Sequence, residues 1–202
     1  MHNRKILIIG EVYVDQHLDI IENGYSTSRL GGIFHAARSC DALNIEYALA
    51  YYAPDYLVKD VEKFGIDVLR ASSIFRLGKV DKAPNVMLIG QSDESGNQLY
   101  ENILGRQAEY VSMLPFMQVL DDFDPTDIII FPGRYGNAGI LSNLSNYEGK
   151  IHIDMNYDCD DILDLDTIKI QTVFLSTSST SFEEFFKEIS YDNLIKYFAF
   201  ME

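Results

Sequence analysis

Apolar and polar positions change period several times along the chain, and each change marks an element. Lys5 to Gly10 (KILIIG) is a continuous, β-branched run, the pattern of a central strand covered on both faces. Val12 to Ile21 alternates loosely and breaks at Asn23-Gly24, a turn dipeptide, and Ser26 to Arg29 leads back as a second short strand. That pair reads as a small flap beside the main sheet. From Ile33 the spacing becomes three and four. Ile33, Ala36, Ala37, Cys40 and Leu43 share one helical face, which Asn44 ends. Glu46 to Ala53 is the next strand, and Pro54-Asp55 opens a helix carrying Tyr56, Leu57, Val61 and Phe64, with Gly65 as its stop. Strand, helix, strand, helix is the rhythm of an α/β sheet.

The middle of the chain breaks that rhythm. Val68 to Leu77, Asn85 to Gln91 and Asn97 to Leu104 read as three strands, the last two joined by Ser92-Asp93-Glu94-Ser95-Gly96. They predict an antiparallel patch inserted into the α/β layer. The rhythm then resumes with a helix at Met113 to Leu120, a buried strand at Asp127 to Phe131 and a helix at Asn137 to Leu144. Strands follow at Ile151 to Asp154 and Thr172 to Leu175, then helices at Ser181 to Lys187 and Asp192 to Phe200. With no repeat, linker or low-complexity tract, residues 1–202 read as a single domain with lid strands within about 12–30 and 68–104.

Composition narrows the function classes. At 202 residues, 47% apolar and 12% aromatic, the chain has enough material for one sizeable core. Its 31 acidic and 16 basic residues leave a net charge of −15, which repels phosphate backbones and anionic membranes, so neither nucleic acid nor membrane is expected as a partner. Cys40 and Cys159 have no ligand spacing and point to a reducing compartment. The N-terminal apolar run is too short for a signal peptide or a span, so the expected location is cytoplasmic.

Candidate chemistry gathers around the first strand. Asp15 follows it, and Gly31-Gly32 opens the first helix, where glycines let backbone approach a ligand and first-turn N–H groups point outward. A carboxylate beside bare N–H groups suits a polyhydroxylated ligand, with the plainer reading that Asp15 is a turn residue and the glycines a tight helix entrance. His35 lies just inside that helix as a ligand contact or a capping histidine. Asn85, Tyr100 and Glu101 sit on or near the flap, where they reach a ligand or face solvent. Arg134 and Asn137 flank a helix start, either an anion site or a surface ion pair. Asp154 and Asn156 follow a later strand, next to the acidic run Asp158-Cys159-Asp160-Asp161. Counted from Asp158, that run has Leu163 and Lys169 where a calcium loop needs Gly and Glu, so it reads as a solvated loop. No zinc spacing, phosphate-binding P-loop or dinucleotide fingerprint occurs, and the four dispersed histidines support no hydrolytic triad.

In this order Gly10-Glu11 with Asp15, Gly31-Gly32, the interposed strands and Asp154-Met155-Asn156 resemble the N-terminal, substrate-binding and lid portion of a ribokinase/PfkB-type sugar or nucleoside kinase. The resemblance implies a ribokinase-like three-layer α/β sandwich with an inserted β lid, C-terminally incomplete. It also implies that Asp15, the Gly31-Gly32 backbone and lid residues bind substrate hydroxyls. In the complete enzyme it implies ATP and Mg2+, with phosphoryl transfer to a sugar or nucleoside hydroxyl. Departures accompany the match. Ala36 stands where the family usually carries Asn, Ser176-Thr177-Ser178-Ser179 lacks the N-x-x-E element, and no G-A-G-D segment with its catalytic base precedes Glu202. Phosphoryl transfer needs positioning, metal and charge neutralisation, so the chain alone is not expected to run it, and none of its own residues is assigned as catalytic. The alternatives are a non-catalytic ligand-binding or scaffolding module, or one half of a split enzyme completed by a partner chain. Homo-oligomerisation is expected through the lid or an open sheet edge.

Overall fold

The structure, a computed structural model, describes residues 4–17, 27–92, 98–103, 108–131, 140–155, 170–176 and 198–201. Its centre is β1 (Lys5–Glu11), whose parallel neighbours are β4 (Glu46–Ala53) on one side and β9 (Asp127–Ile130) on the other. Beyond β9 the sheet continues in parallel through β10 (Lys150–Met155), β11 (Ile170–Ser176) and β12 (Phe198–Met201). Beyond β4 come parallel β5 (Ser73–Asp81) and antiparallel β8 (Glu109–Ser112), completing eight strands in the order β12-β11-β10-β9-β1-β4-β5-β8.

Strand alternation sorts the core into two layers. Leu7, Ile9, Ala48, Ala50, Ile128 and Ile130 face α3 (Phe116–Phe123) and the helical turn at 140–144. Ile6, Ile8, Leu49 and Tyr51 face α1 (Phe34–Ala42) and α2 (Val58–Lys63) from the other side. Helices on both faces explain why β1 reads as an unbroken apolar run, and they give the three-layer α/β sandwich. No helix among the described residues is long and apolar enough to cross a membrane.

A second, four-stranded sheet stands apart. It has the order β3-β2-β6-β7, from β2 (Val14–His17), β3 (Thr27–Leu30), β6 (Val86–Ser92) and β7 (Gln98–Ile103). Here β2 pairs antiparallel with β3 and parallel with β6, and β6 pairs antiparallel with β7.

Four expectations need correction. The strand expected at Val68 to Leu77 begins only at Ser73 and joins the large sheet, because its Ile74 and Leu77 pack into the two helix-covered cores rather than the flap. Gly65 does not stop the second helix. A π-helical turn carries it on to Val68, with Gly65 buried against Ile74, where a side chain would not fit. The helix expected from Met113 starts at Phe116, because Pro115, in extended geometry, occupies its N-cap. Finally, Phe198 to Met201 form the strand β12 on β11, where a helix was expected, the parallel pairing with β11 prevailing over the local helical spacing. The segments 137–139 and 181–187 lie outside the described residues.

Candidate functional site

The site is built where β1 hands the chain to the flap. The Val12 N–H still donates to the Tyr52 carbonyl of β4 (3.0 Å), whereas the Val14 N–H donates to the Asn85 carbonyl (2.8 Å), at the entry to β6. Within two residues the backbone has changed sheets. After β3 the chain returns to the carboxyl end of β1, with Gly31 N–H donating to the Tyr13 carbonyl (2.8 Å) and Ile33 N–H to the Glu11 carbonyl (3.2 Å). The first helix therefore starts against the end of β1, at the base of the flap.

Both glycines are required there. A Cβ on Gly31 would overlap the Asp15 carboxylate, and one on Gly32 would overlap the Glu11 carbonyl oxygen. Gly32 also has φ +60°, a conformation that costs other residues strain. The Gly31 N–H is taken by Tyr13, while the Gly32 N–H has no acceptor among the described residues. Gly31 thus serves less as a donor than as the space that seats Asp15.

Asp15 is buried, its side chain only 6% exposed. Its Oδ2 lies 2.9 Å from His35 Nε2, on the first turn of α1, and 3.8 Å from Arg29 Nε, on β3 directly opposite in the hairpin register. Both partners are half exposed, at 49% and 50%. No hydrogen bond to Oδ1 is found among the described residues, so that oxygen keeps its accepting capacity. The arrangement offers an acceptor over a glycine step, with a half-exposed imidazole and guanidinium beside it.

Glu11, only 2% exposed, is the second buried carboxylate. Tyr110 of β8 donates its hydroxyl to Oε1 (2.8 Å), and Tyr13 donates to Oε2 (2.7 Å). The Asn85 amide donates to Oε2 (3.3 Å) and to the Val12 carbonyl (3.1 Å). Asn85, in left-handed geometry at φ 48° and 2% exposed, thus spends its donors clasping flap to sheet.

The structure therefore brings Asp15, Gly31, Gly32 and His35 together, with Asn85 beneath them joining the two sheets. Glu101 is in β7 opposite Leu88, and Tyr100 is opposite Ile89. The side chains of both lie outside what is described, as do Arg134, Asn137 and Asn156 entirely. Asp154 lies near the carboxyl end of β10, one residue beyond the Ile153–Ile130 pair, and burial raises the pKa of its carboxyl. Among the described residues no three His, Cys, Asp or Glu side chains converge as metal ligands. Sequence reasoning missed Arg29, Tyr13 and Tyr110 and used Glu11 only as part of a motif. Arg29 comes opposite Asp15 through a hairpin register that a turn at Asn23-Gly24 does not predict, and nothing local to Tyr110 announces its contact with a residue 99 positions away.

No protein-family model matches the chain, and no curated protein matches it. Solved structures do. An acarbose kinase derived from a microbiome superposes with a TM-score of 0.63 at 12% identity, over 99% of this chain and 70% of that one. The ribokinase from Giardia lamblia gives 0.59 at 16% identity, over 87% of this chain and 58% of that one. A sugar kinase from Pyrococcus horikoshii in complex with ATP gives 0.53 at 15% identity, over 97% and 70%. The chain spans 58% to 70% of the length of these three proteins. Its fold is the ribokinase-like α/β fold that these sugar kinases share.

Proposed function

We propose that this chain carries the acceptor-binding portion of a PfkB-type carbohydrate kinase, an enzyme that transfers a phosphoryl group from ATP to a hydroxyl of a sugar or nucleoside. One observation carries the reading. Asp15 is buried at the junction of sheet and flap, seated in the space left by Gly31, with one oxygen that no described residue bonds and that can accept from a hydroxyl. A carboxylate held this way orients a polyol without being displaced by solvent, and orientation is most of what a protein contributes to phosphoryl transfer. In the complete enzyme ATP and Mg2+ would supply the phosphoryl group and neutralise its developing charge.

Calorimetry of the chain against pentoses, hexoses and nucleosides tests this. Binding is expected for one class, and Asp15→Ala is expected to weaken it by about tenfold or more, the loss of a charge-assisted hydrogen bond. A chain that is folded and binds none of them overturns the reading. A second reading, a ligand-binding module without catalysis or a half completed by a partner, is favoured by Ala36, which leaves the first helix without an amide side chain beside Asp15. ATP turnover by the isolated chain, if found, excludes both forms of it.

A further inference from the structure

The corner around Asp15 is more cationic than a neutral polyol requires. The whole chain carries −15, yet two arginines stand at the base of the flap, Arg29 beside Asp15 and Arg38 against the Leu30 carbonyl. Arg29 is half exposed, and its guanidinium makes no hydrogen bond among the described residues, its contact with Asp15 being an ion pair at 3.8 Å. Arg38, one helical turn beyond His35 on α1, donates from Nη2 to the Leu30 carbonyl (2.7 Å) and stacks its guanidinium 5.5 Å from the Phe64 ring centre. Its Nη1 is buried without a hydrogen-bond partner among the described residues. Burial, and after it the Arg29 charge, lowers the Arg38 pKa, while Asp15 acts in the opposite direction.

An arrangement of this kind fits a ligand that brings its own negative charge. A hydroxyl needs only the free Asp15 oxygen and leaves the open guanidinium of Arg29 unused. A carboxylate or phosphate would accept from that planar, pre-organised fork. We propose that Arg29, with His35 beside it, is the specificity-determining group of this corner, and that the acceptor is an anionic polyol carrying a carboxylate or phosphate near the hydroxyl bound by Asp15. The inference rests on the kinase-type reading for the polyol and adds the anion.

The test is calorimetry of the full chain with two matched pairs, gluconate against glucose and ribose 5-phosphate against ribose. At least one anion is expected to bind about tenfold or more tightly than its neutral partner, the size of one charge-assisted contact, with the preference falling as salt is raised. Arg29→Gln, on flap strand β3, is expected to abolish the preference, bringing each anion to the affinity of its neutral partner. Preference for gluconate assigns a carboxylate, and preference for ribose 5-phosphate assigns a phosphate. Equal binding within both pairs, or a preference that survives Arg29→Gln, overturns the inference and leaves the polyol reading standing. Binding of none of the four by folded protein overturns both.

Discussion

Two buried carboxylates, Asp15 and Glu11, differ in what their surroundings leave them free to do. Three side chains donate to Glu11. Asp15 has an oxygen that no described residue bonds, and two half-exposed neighbours, the Arg29 guanidinium and the His35 imidazole. At Asp154, which is partly buried, desolvation raises the pKa above the usual carboxylate value. The sign of that shift gives a prediction. Between the unfolded and folded pKa values the native state holds more protons than the unfolded chain, so stability falls as pH rises through that window. The cost of the ionised carboxylate is absent below the unfolded pKa, about 3.9, and fully present above the folded one. Asp154→Asn is therefore expected to stabilise the protein at neutral pH, with the gain shrinking as the pH is lowered toward about 4. Urea denaturation of both proteins across that range measures it. A gain that is unchanged at low pH would assign the effect to packing rather than ionisation.

Among elements, the junction of the two sheets matters most. The flap leaves the large sheet at Val12 to Val14 and again at Asn85, and both crossings meet at Glu11, where Tyr110 of β8 adds a third element. Glu11→Ala would leave two tyrosine hydroxyls and the Asn85 amide without this acceptor and open a cavity, so a loss of about 2–4 kcal/mol is expected in urea denaturation. Hydrogen exchange distinguishes a junction from an ordinary core site. Amides of β2 and β6 should exchange faster in the variant by more than those of β9 and β10. Most strands were legible in the sequence because their patterns are local. β1, β4 and β9 are apolar runs bounded by breakers, and helices cover both faces of each. Register was not. A two-residue turn at Asn23-Gly24 would set Asp15 opposite Gly32, but the structure pairs it with Arg29, which is why the cationic neighbour went unseen. Nor was sheet membership legible for β5, since its sequence suits either sheet and its long-range partner β4 decides. The Asp15–Gly31 contact could be anticipated from the glycine pair, whereas the Glu11–Tyr110 contact depends on packing that only the assembled sheet provides.

For the whole molecule, charge sets an expectation opposite to the one that surface ion pairs suggest. Arg70 pairs with Asp41 (3.0 Å), Arg76 with Asp55 (2.6 Å), and Lys79 bridges Asp55 and Asp81 (2.7 Å each). Hydrogen bonds from Lys79 and then Arg76 hold the Asp55 carboxyl below its ordinary pKa. If such pairs dominated, salt would destabilise the fold by screening them. Each pair has at least one side chain more than a third exposed, where pairs of this kind contribute little. Against them stands a net charge of −15, whose self-repulsion grows on compaction. Screening over about 10 Å at 0.1 M salt reduces repulsion between distant surface carboxylates more than attraction within contact pairs. The melting temperature at pH 7 is therefore expected to rise as sodium chloride is increased from about 10 mM to about 200 mM. The rise should largely disappear near pH 4–5, about where surface carboxylates begin to protonate and the net charge shrinks. Thermal melts at the two pH values decide the matter, because a fall with salt at pH 7 would mean that the Asp55, Lys79 and Arg76 cluster outweighs the field of the whole chain.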